Sequence, residues 1–383
     1  MSDKQYVNPK KFCAAFRDEN GNPICLNEQK DTFEFFSLFM EKLEIYLKET
    51  PYQNLFKMTF EGVLCNQLIC KECPHSSERD EAFLGLNIEV KNRRNLQEGL
   101  EKFIESEVLE GDNAYFCEQC KRKVNTIKRV VIKKLPNHIM FVLKRFEFDF
   151  DTFNKVKLND FYEFPKNINM RPYTVYQNGS SCPYDNDYFQ YKLAGVIIHL
   201  GIADAGHYYS LIQDRYSENN HRWIEFNDTN VKNFDENYIA NECFGFDEKS
   251  DFSNNNLNRF KNAYILVYDR KKVFTEDVNP INNNEEIMNW ANIEIDPEVQ
   301  LNYENENKCL HINKVLFNKE FFNFFLNILP DTTENKVKTF EKCQYVIDYF
   351  LFVLLRYWEK QSYTTHYFIK IKEYLDKVKL INN

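Results

Sequence analysis

Residues 191–210 read YKLAGVIIHL GIADAGHYYS, an apolar segment followed by a loop of small residues and then a histidine. Tyr191–His199 and His207–Gln213 have the pattern of short strands, and Gly and Ala dominate the loop between them. An imidazole that follows small, flexible residues and precedes a strand is well placed to face a cleft. The stretch therefore predicts a strand–loop–strand unit that presents His207 to a cleft.

A second strand end further along the chain offers partners for this histidine. The segment Trp223–Asn227 ends in an amide and is followed by the carboxylate of Asp228. With His207 as general base, Asn227 or Asp228 would fix its tautomer by accepting from a ring N–H. Taken alone the pattern is weak, because any of the seven histidines is more often structural, and His199 is interpreted in that way.

Two C-x-x-C pairs, Cys70–Cys73 and Cys117–Cys120, indicate a metal site. Four thiolates at this spacing can close a tetrahedral site around Zn²⁺. A redox pair or unrelated buried cysteines are the alternatives, but neither pair opens a helix in a βαβ unit as a thioredoxin-like motif would. We expect structural zinc where two hairpin tips meet.

Composition and charge exclude several classes of protein. With 43% hydrophobic and 16% aromatic residues, the chain has the apolar surface that disordered proteins lack. A net charge of -9 argues against nucleic-acid binding and suits a basic partner. We find neither a signal-like start nor an apolar run long enough to span a bilayer, so we expect no membrane partner. We expect a cytoplasmic, possibly nuclear, protein with reduced cysteines.

The spacing of apolar residues predicts one long helix before the strands and a helical region after them. Phe36, Phe39 and Leu43 recur at helical spacing within residues 31–48. Residues 271–305 are rich in Asn, Asp and Glu and are interpreted as a linker, and 306–383 are interpreted as a small helical region.

The motifs follow one another in an order that resembles the ubiquitin-specific protease family. The ordered segments are Gln29–Phe36, the two cysteine pairs, Leu135–Phe146, Tyr191–His199, Ala205–Tyr209, Trp223–Asp228 and Asn262–Tyr268. The chain is most similar to the very large members, which have helical flanking regions. The resemblance implies an enzyme class that hydrolyses peptide and isopeptide bonds at the C-terminus of ubiquitin with a thiol nucleophile.

The resemblance also implies the architecture. It predicts an α+β, papain-like cysteine protease fold shaped as a right hand, with palm, zinc fingers and an incomplete thumb, followed by a small α-helical region. The implied segments are a thumb remainder (1–55), fingers (56–134), palm (135–270), linker (271–305) and helical region (306–383). Part of the apolar face of the 31–48 helix would be exposed by an incomplete thumb.

Roles are carried over position by position. His207 would be the general base, Asn227 the orienting residue and Asp228 an assisting carboxylate. The residues implied to bind ubiquitin are Gln29, Asp31, Glu34 and Tyr208, and the acidic ones would pair with the arginine-containing C-terminal tail of ubiquitin. Lys30 departs from the family, which usually has a second Gln there. The implied zinc ligands are Cys70, Cys73, Cys117 and Cys120.

Two loops and two partners complete the implied site. The segments Phe148–Phe164 and Gly201–Gly206 match the loops that flank the tail channel in the family. The implied partners are ubiquitin and ubiquitinated proteins.

The nucleophilic cysteine of the family is not identifiable. It lies in a Gly-x-x-Asn-x-x-Cys-like box ahead of the Gln-x-Asp helix, and the nearest imitation here, Gly21–Asn27 with Cys25, has the wrong spacing and contains Pro23. Cys13 lies in a segment interpreted as a packed helix. Three hypotheses follow: a piece of an active deubiquitinase, an inactive ubiquitin-binding module or pseudoenzyme, and a scaffold whose helical tail matters most.

Overall fold

The computed structural model describes residues 8–18, 20–23, 30–177, 182–203, 205–214, 222–246, 260–272 and 297–316. The chain divides into two compact units, one of residues 16–282 and one of residues 1–15 together with 283–383. Gln29, Cys25 and most of the predicted helical region lie outside the described residues. Within the described ranges, no helix has the length and apolar character needed to cross a membrane.

Six α-helices lie in the described ranges, most of them short. They are α1 (Lys10–Ala15), α2 (Thr32–Leu47), α3 (Leu55–Phe60), α4 (Leu96–Phe103), α5 (Ile239–Cys243) and α6 (Pro297–Leu316).

The described ranges also contain sixteen strands. They are β1 (Gly62–Cys70), β2 (Ser76–Phe83), β3 (Leu86–Glu89), β4 (Glu107–Leu109), β5 (Tyr115–Cys117), β6 (Arg122–Val124), β7 (Thr126–Lys134), β8 (His138–Lys144), β9 (Phe146–Asp149), β10 (Asn154–Lys157), β11 (Asn167–Asn169), β12 (Gln190–Gly201), β13 (Gly206–Gln213), β14 (Trp223–Asn227), β15 (Asn230–Phe234) and β16 (Lys261–Arg270).

The largest sheet carries the histidine loop. Its strand order is β15-β14-β13-β12-β16-β8-β3, with β11 paired to β12 as the eighth strand. Only the β3–β8 pair is parallel among the pairs described in this sheet. Residues Ile139–Leu143 of β8 are all buried, as expected for a central strand that is covered on both faces.

The alternation of side chains along β8 places two apolar clusters on opposite faces of this sheet. Phe141 belongs to the larger cluster, which also includes Leu266 and Tyr268. Met140 and Val142 belong to the smaller cluster. Because successive side chains of a strand point to opposite faces, the two clusters together sandwich the sheet.

Helix α2 packs on the smaller cluster through Phe33 and Phe36. Met40 is its one buried residue, whereas Phe35, Ile45 and Tyr46 are exposed. The helix is thus present as predicted. Phe36, Phe39 and Leu43 of its predicted apolar face are half-buried, and the predicted exposure of that face stays a prediction.

A second sheet, with the strand order β2-β1-β7-β4, lies within the segment predicted as fingers. The segment predicted as fingers, 56–134, is not one spatial unit. Strand β3 lies inside that segment but pairs with β8 of the large sheet, and its Leu86 and Ile88 are buried. The predicted range and the second sheet differ because the chain leaves that sheet after β2. It places β3 in the large sheet, where its apolar residues are buried, and returns to the second sheet with β4 and β7.

Two helices differ from their predictions. Helix α1 forms where a packed helix was predicted, but it contains no buried residue, and Cys13 is only half-buried. Of the segment predicted to be packed, only Phe16, which follows the helix, is buried. Helix α6 begins at Pro297, within the predicted linker. Proline is favourable in the first turn of a helix, and polar side chains such as Gln300 and Glu304, which are hydrogen-bonded to each other, suit an exposed helix.

Candidate active site and metal centre

Antiparallel pairing brings the two halves of the predicted catalytic pair together. Strand β13 pairs with β14, and Ser210 lies opposite Phe226, so the start of β13 lies beside the end of β14. His207 Nε2 is 2.7 Å from Asn227 Oδ1. An amide oxygen only accepts, so Nε2 carries the proton and Nδ1 keeps its lone pair. This tautomer is the one a general base needs.

The orientation of the amide is supported by a residue that sequence reasoning missed. Asn227 Nδ2 lies 3.5 Å from Glu225 Oε1, a long hydrogen bond that keeps the amide nitrogen away from the imidazole. Glu225 is buried, and its other oxygen pairs with Lys232 Nζ at 3.2 Å. Because side chains alternate between the two faces of a strand, Glu225 lies on the same face of β14 as Asn227. This alternation could have identified Glu225 from the sequence.

Asp228 lies close to the histidine but does not form a hydrogen bond with it. Its Oδ2 is 3.8 Å from His207 Nε2, and its side chain is 78% exposed. The residue has a φ of 51°, at the turn where β14 leads into β15. An exposed carboxylate at this distance contributes only a screened attraction for an imidazolium.

His199 is buried directly behind the histidine loop. Its ring packs edge-on against Phe146 and Tyr208, with ring centroids 5.1 and 4.8 Å apart. A β-carbon at Gly206 would lie 2.1 Å from His199 Nε2, so the position before His207 requires glycine. Burial, together with the charges of Lys157 and His207, lowers the pKa of His199 to about 4. His199 is therefore neutral near pH 7 and packs as an aromatic ring.

Asp31 and Tyr208, both predicted to bind ubiquitin, meet at Tyr264. Asp31 Oδ1 caps α2 by accepting from the backbone N–H groups of Phe33 and Glu34, at 2.8 and 3.0 Å. Asp31 Oδ2 accepts a hydrogen bond from the Tyr264 hydroxyl. The Tyr264 ring lies 5.8 Å from that of Tyr208, whose pKa is raised to about 12 by burial and by Asp31. Asp31 thus joins helix α2 to the sheet that carries the histidine.

The remaining predicted ubiquitin-binding residues are placed differently. Glu34 lies exposed in the first turn of α2. Gln29 lies outside the described residues.

The two predicted loops differ in structure. The first contains a hairpin of β9 and β10 whose residues Phe148, Phe150 and Phe153 are exposed. The second begins at Gly201, which has a φ of 119°, and is closed by a hydrogen bond of 3.0 Å from Ile202 N to Ala205 O. Only glycine adopts this conformation readily, which explains the Gly at the start of the loop.

The four predicted metal ligands form a single cluster. The sulfur atoms of Cys70, Cys73, Cys117 and Cys120 all lie within 4.8 Å of one another. Backbone N–H groups of Cys120 and Gln119 lower the pKa of Cys117 to about 7, whereas the hydrogen bond with Cys73 and burial raise the pKa of Cys120 to about 12. Arg122 and Glu72, one beside each pair, form an ion pair that links the two knuckles. The cluster could therefore hold a metal ion, as predicted.

A family model described as ubiquitin carboxyl-terminal hydrolase matches residues 1–268. The chain belongs to the ubiquitin-specific protease family. The predicted family and the predicted α+β, papain-like fold are both confirmed by the comparisons and by the mixed sheet and helix architecture.

The chain spans only a small part of the length of the curated relatives that it matches. The chain is 38% identical over 299 residues to ubiquitin carboxyl-terminal hydrolase 24 of Mus musculus, a match that covers 70% of this chain and 11% of that protein. It is 34% identical over 360 residues to ubiquitin carboxyl-terminal hydrolase 9Y of Mus musculus, covering 86% and 14%.

A solved structure extends the comparison to three dimensions. A chain of the SAGA DUB module, which contains Ubp8 and is bound to monoubiquitin, is similar to this chain with a TM-score of 0.51 and 27% identity. The match covers 64% of this chain and 50% of that chain.

The buried histidine gives the first prediction. Its ordinary pKa is 6.5 and its folded-state pKa is about 4, so between these values the unfolded chain binds more protons at this site. The stabilising contribution of neutral His199 is complete above pH 6.5 and is lost as the pH falls toward 4. In His199→Phe, which keeps an aromatic ring, we expect a smaller loss of melting temperature over this range than in the wild type. Equal losses in thermal melts of the two proteins would contradict this assignment.

Proposed function

We propose that this chain is a deubiquitinase-type domain that grips ubiquitin and contributes the base and its orienting residue to thiol-dependent hydrolysis at the C-terminus of ubiquitin. The observation that carries the proposal is the bond of 2.7 Å between His207 Nε2 and Asn227 Oδ1. Family membership supports it, and so does the acidic side chain of Asp31 beside Tyr208, which suits an arginine-containing tail.

The chemistry assigns one task to each residue. Nδ1 of His207 takes the proton of a cysteine thiol, and the thiolate attacks the carbonyl carbon at the C-terminus of ubiquitin. The imidazolium then donates its proton to the leaving amine, and an acyl-enzyme thioester remains for water to hydrolyse. Asn227 holds the ring in the productive tautomer throughout, since its oxygen accepts from Nε2.

The thiol itself is not identified in this chain. No hydrogen bond joins His207 to a cysteine in the described part of the chain. The second candidate function is therefore a ubiquitin-binding module that does not hydrolyse. The two candidates share the ubiquitin grip and differ in whether a cysteine of this chain reacts.

A ubiquitin probe with a cysteine-reactive electrophile at its C-terminus separates these candidates. Both candidates predict saturable noncovalent binding of the probe, and the ubiquitin-binding module predicts it without a covalent adduct. Binding is measured by titration, and adducts are located by intact and peptide mass spectrometry.

Two other outcomes are informative. An adduct at one cysteine that disappears in His207→Ala would show that this chain contains the nucleophile and is itself a hydrolase. A chain that neither reacts with the probe nor binds it would contradict the proposed function.

We also propose that the cysteine cluster holds a structural Zn²⁺ ion in the fingers. A tetrahedral ion with zinc–sulfur bonds of about 2.3 Å places its sulfur atoms about 3.8 Å apart. The Sγ atoms of Cys70 and Cys120 are 3.9 Å apart, and those of Cys73 and Cys117 are 3.6 Å apart. The spacing of the thiols thus fits zinc, which would join the β1–β2 and β5–β6 hairpins without taking part in the chemistry.

Removal of one ligand tests the zinc proposal. In Cys73→Ser we expect less than one zinc per chain by elemental mass spectrometry, and a lower melting temperature, because metal binding is coupled to folding of the site. Cys309→Ser is the control, since Cys309 is exposed on α6 and lies outside the cluster. The proposal fails if wild-type protein purified without chelators contains no zinc, or if both variants retain it equally.

Ubiquitinated proteins as partners and a cytoplasmic, possibly nuclear, location are part of the same proposal.

A further inference from the structure

Lys157 makes three hydrogen bonds to backbone carbonyls at the base of the histidine loop. Its Nζ lies 3.0 Å from His199 O, 3.2 Å from Gly201 O and 2.6 Å from Phe260 O. An ammonium group has three N–H donors and no acceptor, so these bonds use its full capacity. The lysine is the last residue of β10, in the hairpin of the first loop.

Two of these carbonyls belong to the end of β12, which pairs with the strand of His207, and the third precedes β16. Leu200, between His199 and Gly201, pairs with His207 across β12 and β13, and the same Leu200 pairs with Lys261 across β12 and β16. Phe260 directly precedes β16. The Lys157 side chain therefore binds the C-terminal end of β12 and the residue before β16. The end of β12 pairs directly with His207.

The opposite side of this strand end is held by packing. The His199 ring occupies the space where a side chain at Gly206 would lie. The His199 ring therefore restricts the start of β13 at Gly206. On the other side, Lys157 binds the end of β12, the partner strand of β13. His207 follows Gly206 directly and has little freedom to leave Asn227.

We propose that Lys157 is a positioning residue for His207, tying the β9–β10 hairpin to the histidine loop so that His207 Nε2 stays within hydrogen-bonding distance of Asn227. The proposal deepens the proposed function and rests on it for its catalytic meaning. Lys157 contacts neither the imidazole nor the amide in the structure and acts only through the backbone of β12 and β16.

The energetics of this lysine guide the choice of variants. Burial and the charge of Arg145 lower the pKa of Lys157 to about 7, so an ammonium is costly to hold there. The three carbonyl oxygens offset that cost. Lys157→Met keeps a side chain of similar length and removes both the buried charge and the donors, so we expect it to fold with the carbonyls unanchored.

The test measures how well the His207–Asn227 bond is protected, in the full chain and without ubiquitin. Histidine-labelled protein is studied by NMR, the His207 signal is assigned from His207→Ala, and exchange of its Nε2 proton with water is timed. In Lys157→Met we expect exchange to accelerate by about tenfold, the factor for loss of one typical hydrogen bond. Lys155→Met, an exposed lysine of the same strand, should exchange at the wild-type rate.

An internal reference separates positioning from general loosening. The buried Nε–H of Arg270, 3.1 Å from the Tyr191 hydroxyl, lies at the other end of β16. Positioning by Lys157 predicts faster exchange at His207 with unchanged exchange at Arg270. Acceleration at both sites, or at neither, would overturn the proposal.

Two further variants keep the test decisive. Lys157→Arg retains several donors and should restore most of the protection. Lys157→Gln retains a short amide donor, should be intermediate, and replaces the methionine variant if circular dichroism shows that variant to be unfolded. The exchange measurement needs no ubiquitin. If the wild-type chain fails to bind ubiquitin, the proposed function is contradicted, but the positioning role of Lys157 is not.

Discussion

The pairing of β12, β13 and β14 is the constraint on which the site depends. It places the first residues of β13 beside the last residue of β14, and so brings His207 Nε2 within 2.7 Å of Asn227 Oδ1 although the two residues lie 20 positions apart. The loop that precedes His207 is short and closed by its own hydrogen bond. A shift of register by one residue would turn His207 to the other face of the sheet and remove the pair altogether.

The same sheet connects the candidate site to helix α2. Tyr264 of β16 donates to Asp31, which also caps the helix, so one carboxylate satisfies helix N–H groups and a buried hydroxyl at once. Tyr208, next to His207, packs beside Tyr264. Asp31 and Tyr208, two of the residues assigned to the ubiquitin tail, are therefore packed together with the strand that carries His207.

The sequence predicted the elements whose signals are local. Strands β8, β12, β13 and β16 were evident from apolar and β-branched runs, and Asp31 is a helix-start residue whose capping role is visible in the first turn. The metal cluster was predicted from spacing alone, since C-x-x-C pairs need only local geometry to aim two thiols at one point.

The features that sequence reasoning missed depend on contacts between distant segments. Lys157 meets carbonyls 42 or more positions away, and a lysine in a polar hairpin carries no sign that it is buried. Strand β3 joins the large sheet because parallel pairing with β8 buries Leu86 and Ile88. Its short sequence does not indicate whether it belongs to the large sheet or to the segment predicted as fingers. Glu225 had a local signal in the alternation of β14, and its pairing with Lys232 gives it a role behind Asn227.

The central claim of the proposed function is that the surface carrying Asp31, Tyr208 and His207 takes the C-terminal tail of ubiquitin. The most direct measurement is the dissociation constant of the chain for intact ubiquitin and for ubiquitin lacking that tail. The account predicts that removal of the tail weakens binding by about tenfold or more, the equivalent of about 1.4 kcal/mol. Equal dissociation constants for the two ligands would contradict it and assign any ubiquitin binding to a different surface.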